Sequence, residues 1–539
     1  MRMTIVFFAI SLVAVTFSGL YAADNHSDKP PIGISTLFTA KDVGQLLADD
    51  NGIDLAIDWC KKTSVTKVYI ECYRGGYWSE RKILEHARDR FKAAGFETSG
   101  GVTTTRIGKK STGKPYLSCY TDKQTQDQLQ KIFEYAASMF DEIMIDDFYY
   151  TDCECSECEK ARSAENYKRL HADSISWADY RCDLMVEISK EKVLKPAKKV
   201  NPNVKIIIKY PQWYDRFQKR GYEVVRQSAE FDRTWVGTET RDPNSERFGR
   251  KNQYEGYYIM RWLAEIGGPK CGGGWFDRYD TSPATYLEQA RQTVLADAKE
   301  MLLFSFGSLQ EENGPADVEA LRKELPGLLE LAKLIRGKAV KGIAAPKPPN
   351  SEPYDEQYIY DFIGMMGLPL VPAAKINPET RAAFLPVHTF KDPDIMDKIQ
   401  KMLAAKKPVL ITDGLAKRLD GFNFNDENLQ ILPVKGDPYN LHKLTRDDLK
   451  SIRDKMLAPF GVKFDAPNKV ALYLFGDDLV VIENFNDEPV SASLEITGLS
   501  KAIVRLTLPA DGVADFSRKG KRLQFDKISP RTLVAIQCR

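Results

Sequence analysis

Histidine is scarce in this chain of 539 residues, with only five: His26, His86, His171, His388 and His442. None stands at the end of a predicted barrel strand, which disfavours a histidine-built catalytic metal site and a Ser-His-Asp triad. His86 falls within a predicted helix, where it reads as a solvated or packing residue, and His171, in a long polar insertion, is the one to watch. The chain also lacks a G-x-G-x-x-G or Walker A pattern, and with it a phosphate-cradling loop. It has no excess of either charge: 77 basic residues against 75 acidic ones give +2, so neither nucleic acid nor an anionic membrane is an expected partner. No internal repeat or low-complexity tract is visible. The one long apolar run, Thr4 to Phe17, is short for a membrane span. With Arg2 before it and small residues from Gly19 to Ala23 after it, it reads as an export signal over residues 1–23. No cysteine follows it to carry a lipid anchor. The mature chain is therefore expected in the periplasm or outside the cell.

What is abundant is aromatic, at 11%, and alternating. Strand-like stretches at 32–38, 67–73, 96–104, 141–148, 204–210, 234–239, 269–276 and 301–306 are each followed by a helix-like one, including 43–61 after the first. Eight such pairs over residues 30–340 predict an α/β fold, a (β/α)8 TIM barrel. A doubly wound open sheet is the alternative; it would need fewer strands and usually a phosphate loop. The Pro-rich 344–350 reads as a linker or an opening strand. After it the alternation resumes as a smaller α/β domain over 344–460. From 466 to 539 short alternating strands predict an antiparallel β-sandwich.

In a TIM barrel the chemistry stands where strands end, at the carboxyl face. The second strand offers Glu71, with Arg74 and Trp78 beyond. The fourth ends in Asp146-Asp147, the fifth in Lys209-Tyr210 with Trp213 near, the sixth in Glu239, and the seventh in Trp275-Phe276-Asp277-Arg278. Carboxylates beside aromatics at several strand ends fit glycoside chemistry, in which one carboxyl is protonated and a second is charged. Apolar neighbours and like charges push the two pKa values apart. Pairing of these carboxylates with Lys209, Arg241 and Arg278 as a structural network is the competing reading.

Of nine cysteines, Cys153, Cys155 and Cys158 cluster directly after the fourth strand as C-x-C-x2-C. Three thiolates in one loop with Cys119 as a fourth would hold a closed, structural Zn2+. A disulfide, which export permits, and free thiols are the alternatives. The odd count rules out a complete disulfide framework.

On the cysteine cluster, the carboxylate pair closing the fourth strand and the order barrel, α/β domain, β-sandwich, the chain resembles the glycoside hydrolase family 42 β-galactosidases. The resemblance implies a zinc on Cys119, Cys153, Cys155 and Cys158, a flavodoxin-like second domain that assembles a homo-oligomer, a trimer, and an acid at the fourth strand. The family has Asn-Glu at the fourth strand and a nucleophilic Glu at the seventh, where this sequence has Asp146-Asp147 and Asp277. The expectation is a secreted glycoside hydrolase acting on an oligosaccharide or glycan fragment. Asp147 is the expected general acid, and Asp277 or Glu239 the nucleophile or base. Asp146, Glu71, Lys209, Tyr210 and Arg278 are expected around the sugar, and Trp78, Trp213 and Trp275 as stacking walls. A degenerate barrel that only binds glycan is the second reading. A lyase or esterase-like hydrolase is a third, which the missing histidines disfavour.

Overall fold

The computed structural model describes residues 30–163, 175–249 and 251–539. The expected export signal and His171 lie outside the described residues. Eight parallel strands close into a barrel: β1 Gly33–Phe38, β2 Lys67–Arg74, β3 Glu97–Thr103, β4 Glu142–Ile145, β5 Lys205–Tyr210, β6 Arg233–Gly237, β7 Cys271–Asp277 and β8 Glu300–Phe304. Each pairs with the next in register, and β1 pairs with both β2 and β8, which completes the cylinder. The strands are buried on both faces, as a helix-wrapped parallel barrel requires. Leu37, Tyr69, Met144, Ile207, Trp235, Trp275, Leu302 and Phe304 fill its interior. The glycine run in β7 makes room for one of them. A Cβ on Gly273 would lie 2.8 Å from the Trp235 indole, so that strand passes the ring only without side chains.

The helix expected over 43–61 is two helices, Ala40–Leu46 and Asp50–Lys62. Asp49 divides them by accepting the Gly52 amide at 2.8 Å, an N-cap that starts the second helix afresh. The predicted fourth strand is shorter than expected and stops at Ile145, so Asp146 and Asp147 stand on the loop at the barrel mouth.

The Pro-rich segment opens a second parallel sheet. Its strands β9 Ile343–Pro346, β10 Leu370–Ala373, β11 Ala383–Leu385, β12 Val409–Thr412 and β13 Leu429–Leu432 lie in the order β10-β9-β11-β12-β13, that of flavodoxin-type sheets. Two antiparallel sheets of five and four strands follow. The five-stranded one takes in Val340–Lys341 along with Thr532–Cys538. A single buried apolar cluster runs from Ile32 in the barrel to Cys538 in the last strand. Among the described residues, no helix is long and apolar enough to cross a membrane.

Candidate active site

A cavity of about 1340 Å³ opens at the carboxyl end of the barrel. That exceeds the usual ~300–1,000 Å³ of a drug-sized pocket, so it has room for more than one sugar ring. Asp146, Asp147, Lys209, Glu239, Trp275 and Asp277 line its floor.

Lys209, at the end of β5, is the hub. Its Nζ donates to Asp147 Oδ2 at 2.8 Å and to Glu239 Oε1 at 2.9 Å, and lies 4.1 Å over the Trp275 ring. Two bonds to one nitrogen place those carboxylate oxygens within about 6 Å of each other, closer than the ~6.5–9.5 Å that leaves room for a water between two carboxyls. Trp275 stacks in turn on Phe304 at 4.7 Å, which fixes the apolar bed under the ammonium.

Neighbours set the two adjacent aspartates apart. Burial raises the Asp146 carboxyl, but the charges of Arg74 and Lys209 outweigh it and hold the group below its ordinary value. Arg74 donates to Asp146 Oδ2 at 2.7 Å and to Glu71 Oε2 at 2.8 Å. Burial, with the Asp146 and Glu239 charges, pushes the Asp147 carboxyl up to about 8 against the pull of Lys209. Its side chain nonetheless stays 16% exposed to the cavity. Burial also raises Glu239, with Lys209 opposing and Asp277 adding. A protonated Asp147 beside a Glu239 whose charge is balanced by Lys209 is an acid–carboxylate pair of the kind glycoside cleavage needs.

Asp277 sits differently. Arg241 grips both its oxygens, at 2.9 and 2.5 Å, and the Tyr279 amide reaches it at 3.2 Å. Glu71 is fully buried beneath the floor, bonded to Thr103 and to the Ala40 amide, so it steers Arg74 without facing the cavity. Trp213 lines the wall. Besides Glu71, three other expected sugar contacts lie off the cavity. Tyr210 is buried among Phe217 and Tyr222 with its hydroxyl on Ser228, because alternate residues of a barrel strand face the helices. Arg278, one residue past the inward Asp277, turns to Glu312 and the Ser308 carbonyl. Trp78 sits on a two-residue strand against Tyr73 and Tyr135, off the cavity. Sequence reasoning missed the lining contributed by the second domain, at Tyr354, Asp355, Gln357, Tyr358 and Tyr439. The available signal was the run after β9, since ligands in open α/β sheets lie beyond the strands' carboxyl ends.

Beside this site the four cysteines come together. The Sγ atoms of Cys119, Cys153, Cys155 and Cys158 all lie within 4.8 Å of one another. Cys119 is 3.5 Å from Cys158 and 3.8 Å from Cys155, and Cys155 is 3.7 Å from Cys158. A tetrahedron with Zn–S arms of about 2.3 Å has edges of about 3.8 Å, so the donor set fits that metal. These separations are far longer than the ~2.05 Å of a disulfide. The hydroxyl of Thr121 lies 3.0 Å from Cys158 Sγ.

Residues 22–323 match the family described as "Probable glycosyl hydrolase, catalytic domain". The chain belongs to that family. Residues 339–448 match "Uncharacterized protein SSO3021, second domain". That uncharacterized protein, from Saccharolobus solfataricus, is similar at 26% identity over 426 residues, which cover 74% of this chain and 69% of its own. Among solved structures the α-L-fucosidase isoenzyme 2 of Paenibacillus thiaminolyticus is similar with a TM-score of 0.62 and 9% identity, over 94% of this chain and 99% of that one. This likeness is one of fold, and it extends through all three parts of the chain. The exo-β-1,4-mannosidase Op5Man5 of an Opitutaceae bacterium is similar at TM-score 0.46 and 10% identity, over 84% and 86%.

Proposed function

We propose that this glycosyl hydrolase cleaves an oligosaccharide or glycan fragment with Asp147 as general acid and Glu239 as nucleophile. The observation that carries the reading is the pairing of Asp147 and Glu239 on one lysine at the floor of the barrel cavity. Asp147 protonates the departing oxygen while Glu239 attacks the anomeric carbon. The Asp147 carboxylate then takes a proton from the water that releases the glycosyl ester, and the configuration is retained. Lys209 stabilises whichever carboxylate is charged at each step. Arg241 occupies both oxygens of Asp277, which leaves it a holder of sugar hydroxyls, so of the two partners expected for Asp147 the geometry favours Glu239.

The test is turnover of a panel of glycosides by wild type, Asp147→Asn and Glu239→Gln. Each substitution should cost about two to four orders of magnitude. Asp147→Asn should cost less where the leaving group is good. Near-normal rates in both variants would assign the chemistry to other residues, and no turnover of any glycoside by wild type would return the site to the second reading, a barrel that binds glycan without cleaving it.

Three further expectations belong to the same reading. The four cysteines hold one structural zinc, which pins the loop after β4 beside the site and takes no part in the chemistry. Residues 1–23 direct export, which an N-terminal sequence of protein recovered outside the cytoplasm would test. The chain forms a homo-oligomer through residues 344–460, where Phe390, Met396 and Ile431 are exposed. The family 42 resemblance suggests a trimer, and light scattering giving a stable mass near the 61.0 kDa of one chain would remove it.

A further inference from the structure

The wall of the cavity opposite the barrel floor belongs to the second domain, in two loops: 353–358, after β9, and 436–439, after β13. We infer that these loops form a sugar-binding subsite for the leaving-group side of the substrate, with Tyr354 and Tyr439 as its stacking faces. The proposal rests on the glycosidase reading above and extends it to the part of the substrate that departs.

Four observations support it. Tyr354 and Tyr439 are 46% and 39% exposed and both line the cavity, large apolar rings turned towards solvent beside a polar floor. The rear of Tyr354 is already covered: the Arg418 guanidinium lies 4.0 Å from its ring centre, so only the opposite face is free to take a partner. Tyr439 is steadied edge-on by Phe362 at 5.0 Å. The Tyr354 and Tyr358 backbones hold φ of +46° and +59°, a left-handed conformation that bulky residues avoid and that local structure must enforce.

The enforcement comes from the barrel. Asp215, fully buried on the loop after β5, accepts the Tyr358 amide at 2.7 Å and is itself bonded to His388 of the second domain at 2.9 Å. Arg216 donates to Gln357 at 3.3 Å. The loop that carries Tyr354 is therefore held at Gln357 and Tyr358 by the loop that follows the Lys209 strand, and a ring on a fixed loop loses little entropy when a sugar's C–H face settles on it. Asp355 and Asp437 stand beside the rings and offer carboxylates to sugar hydroxyls. Stacking faces flanked by hydroxyl acceptors suit a neutral pyranose.

The experiment compares glycosyl fluorides, whose leaving group fills no second subsite, with neutral di- to tetrasaccharides of the same terminal sugar. Wild type, Tyr354→Ala, Tyr354→Phe and Tyr439→Ala are assayed on both, and oligosaccharide binding is read in parallel by calorimetry. The alanine variants should lose roughly three- to tenfold more kcat/KM on oligosaccharides than on fluorides, and Tyr354→Phe should restore most of it. Equal losses on both substrates, or none on either, would overturn the subsite and leave the catalytic reading standing. Oligosaccharide binding weakened in the alanine variants, with no substrate cleaved by wild type, would keep the subsite and overturn the catalytic reading.

Discussion

At the scale of single residues, two adjacent aspartates of identical chemistry occupy opposite states. Asp146 meets Arg74 and stays ionised. Asp147, one position on, shares its cation with Glu239 and is pushed up to about 8 by burial and by like charge. The pH profile of kcat/KM should follow from this. Activity needs protonated Asp147 and ionised Glu239, so it should fall as pH rises through about 8 and fall again on the acid side as Glu239 takes a proton. Asp147→Asn should abolish the alkaline limb from whatever rate remains. An alkaline limb unchanged in that variant would assign it to another group. Which carboxylates stand at the barrel mouth was legible in the sequence, because strand ends are. Which partner faces Asp147 was not. That depends on one Lys209 rotamer and on Arg241 having both oxygens of Asp277 in its grip, distances that no residue spacing encodes.

At the scale of elements, the alternation of apolar and polar stretches was enough to predict all eight barrel strands, since each is buried on both faces and bounded by turn residues. It failed where a local bond cut across the pattern, as at Asp49, and at β13 of the second sheet, whose Leu-Gln-Ile-Leu is too short and too exposed to stand out. Standing at a strand end did not tell which side a residue faces, and Tyr210 and Arg278, each next to an inward residue, came to be expected in the site. The cysteine loop is the element whose sequence spoke most specifically, because C-x-C-x2-C brings three thiols into one loop, where Cys119 joins them. Elemental analysis of protein purified without chelator should give close to one zinc per chain. Stripping it should lower Tm and open the segment after β4 to proteases, since a structural site adds its binding energy to folding. Cys155→Ser should do both without chelator. A metal content well below one per chain, or no change on chelation, would make the four thiols a packing cluster.

At the scale of the whole molecule, the barrel, second sheet and sandwich are joined by buried charge as well as by apolar packing. Arg291, on the helix Pro283–Leu295, donates twice to Glu324 at 2.6 Å and once to the Arg531 carbonyl at 2.7 Å, tying two barrel helices to the end of the sandwich. Removing one partner of such a pair leaves the other charge uncompensated, so Arg291→Ala should cost about 3–5 kcal/mol. Next to it, Glu483 of the sandwich accepts from Gln292 at 2.7 Å and Tyr473 at 3.1 Å, while its other oxygen meets no donor. Burial pushes this carboxyl up to about 8, Arg291 pulling against it and Glu288 adding to it. A neutral carboxyl tolerates the unmatched oxygen; a charged one does not. In the unfolded chain the same group ionises near its ordinary 4.5. The stabilisation held by neutral Glu483 is thus complete below that value, declines as pH rises towards about 8, and has gone above it. The decline is about 1.4 kcal/mol for each pH unit. Glu483→Gln keeps the acceptor oxygen and cannot ionise. Its stability relative to wild type should therefore improve steadily from about pH 5 to 8 and then level off, as urea unfolding across that range would measure. A difference that stays constant with pH would mean that Glu483 is charged in the folded protein, and that Arg291 serves it as well as Glu324.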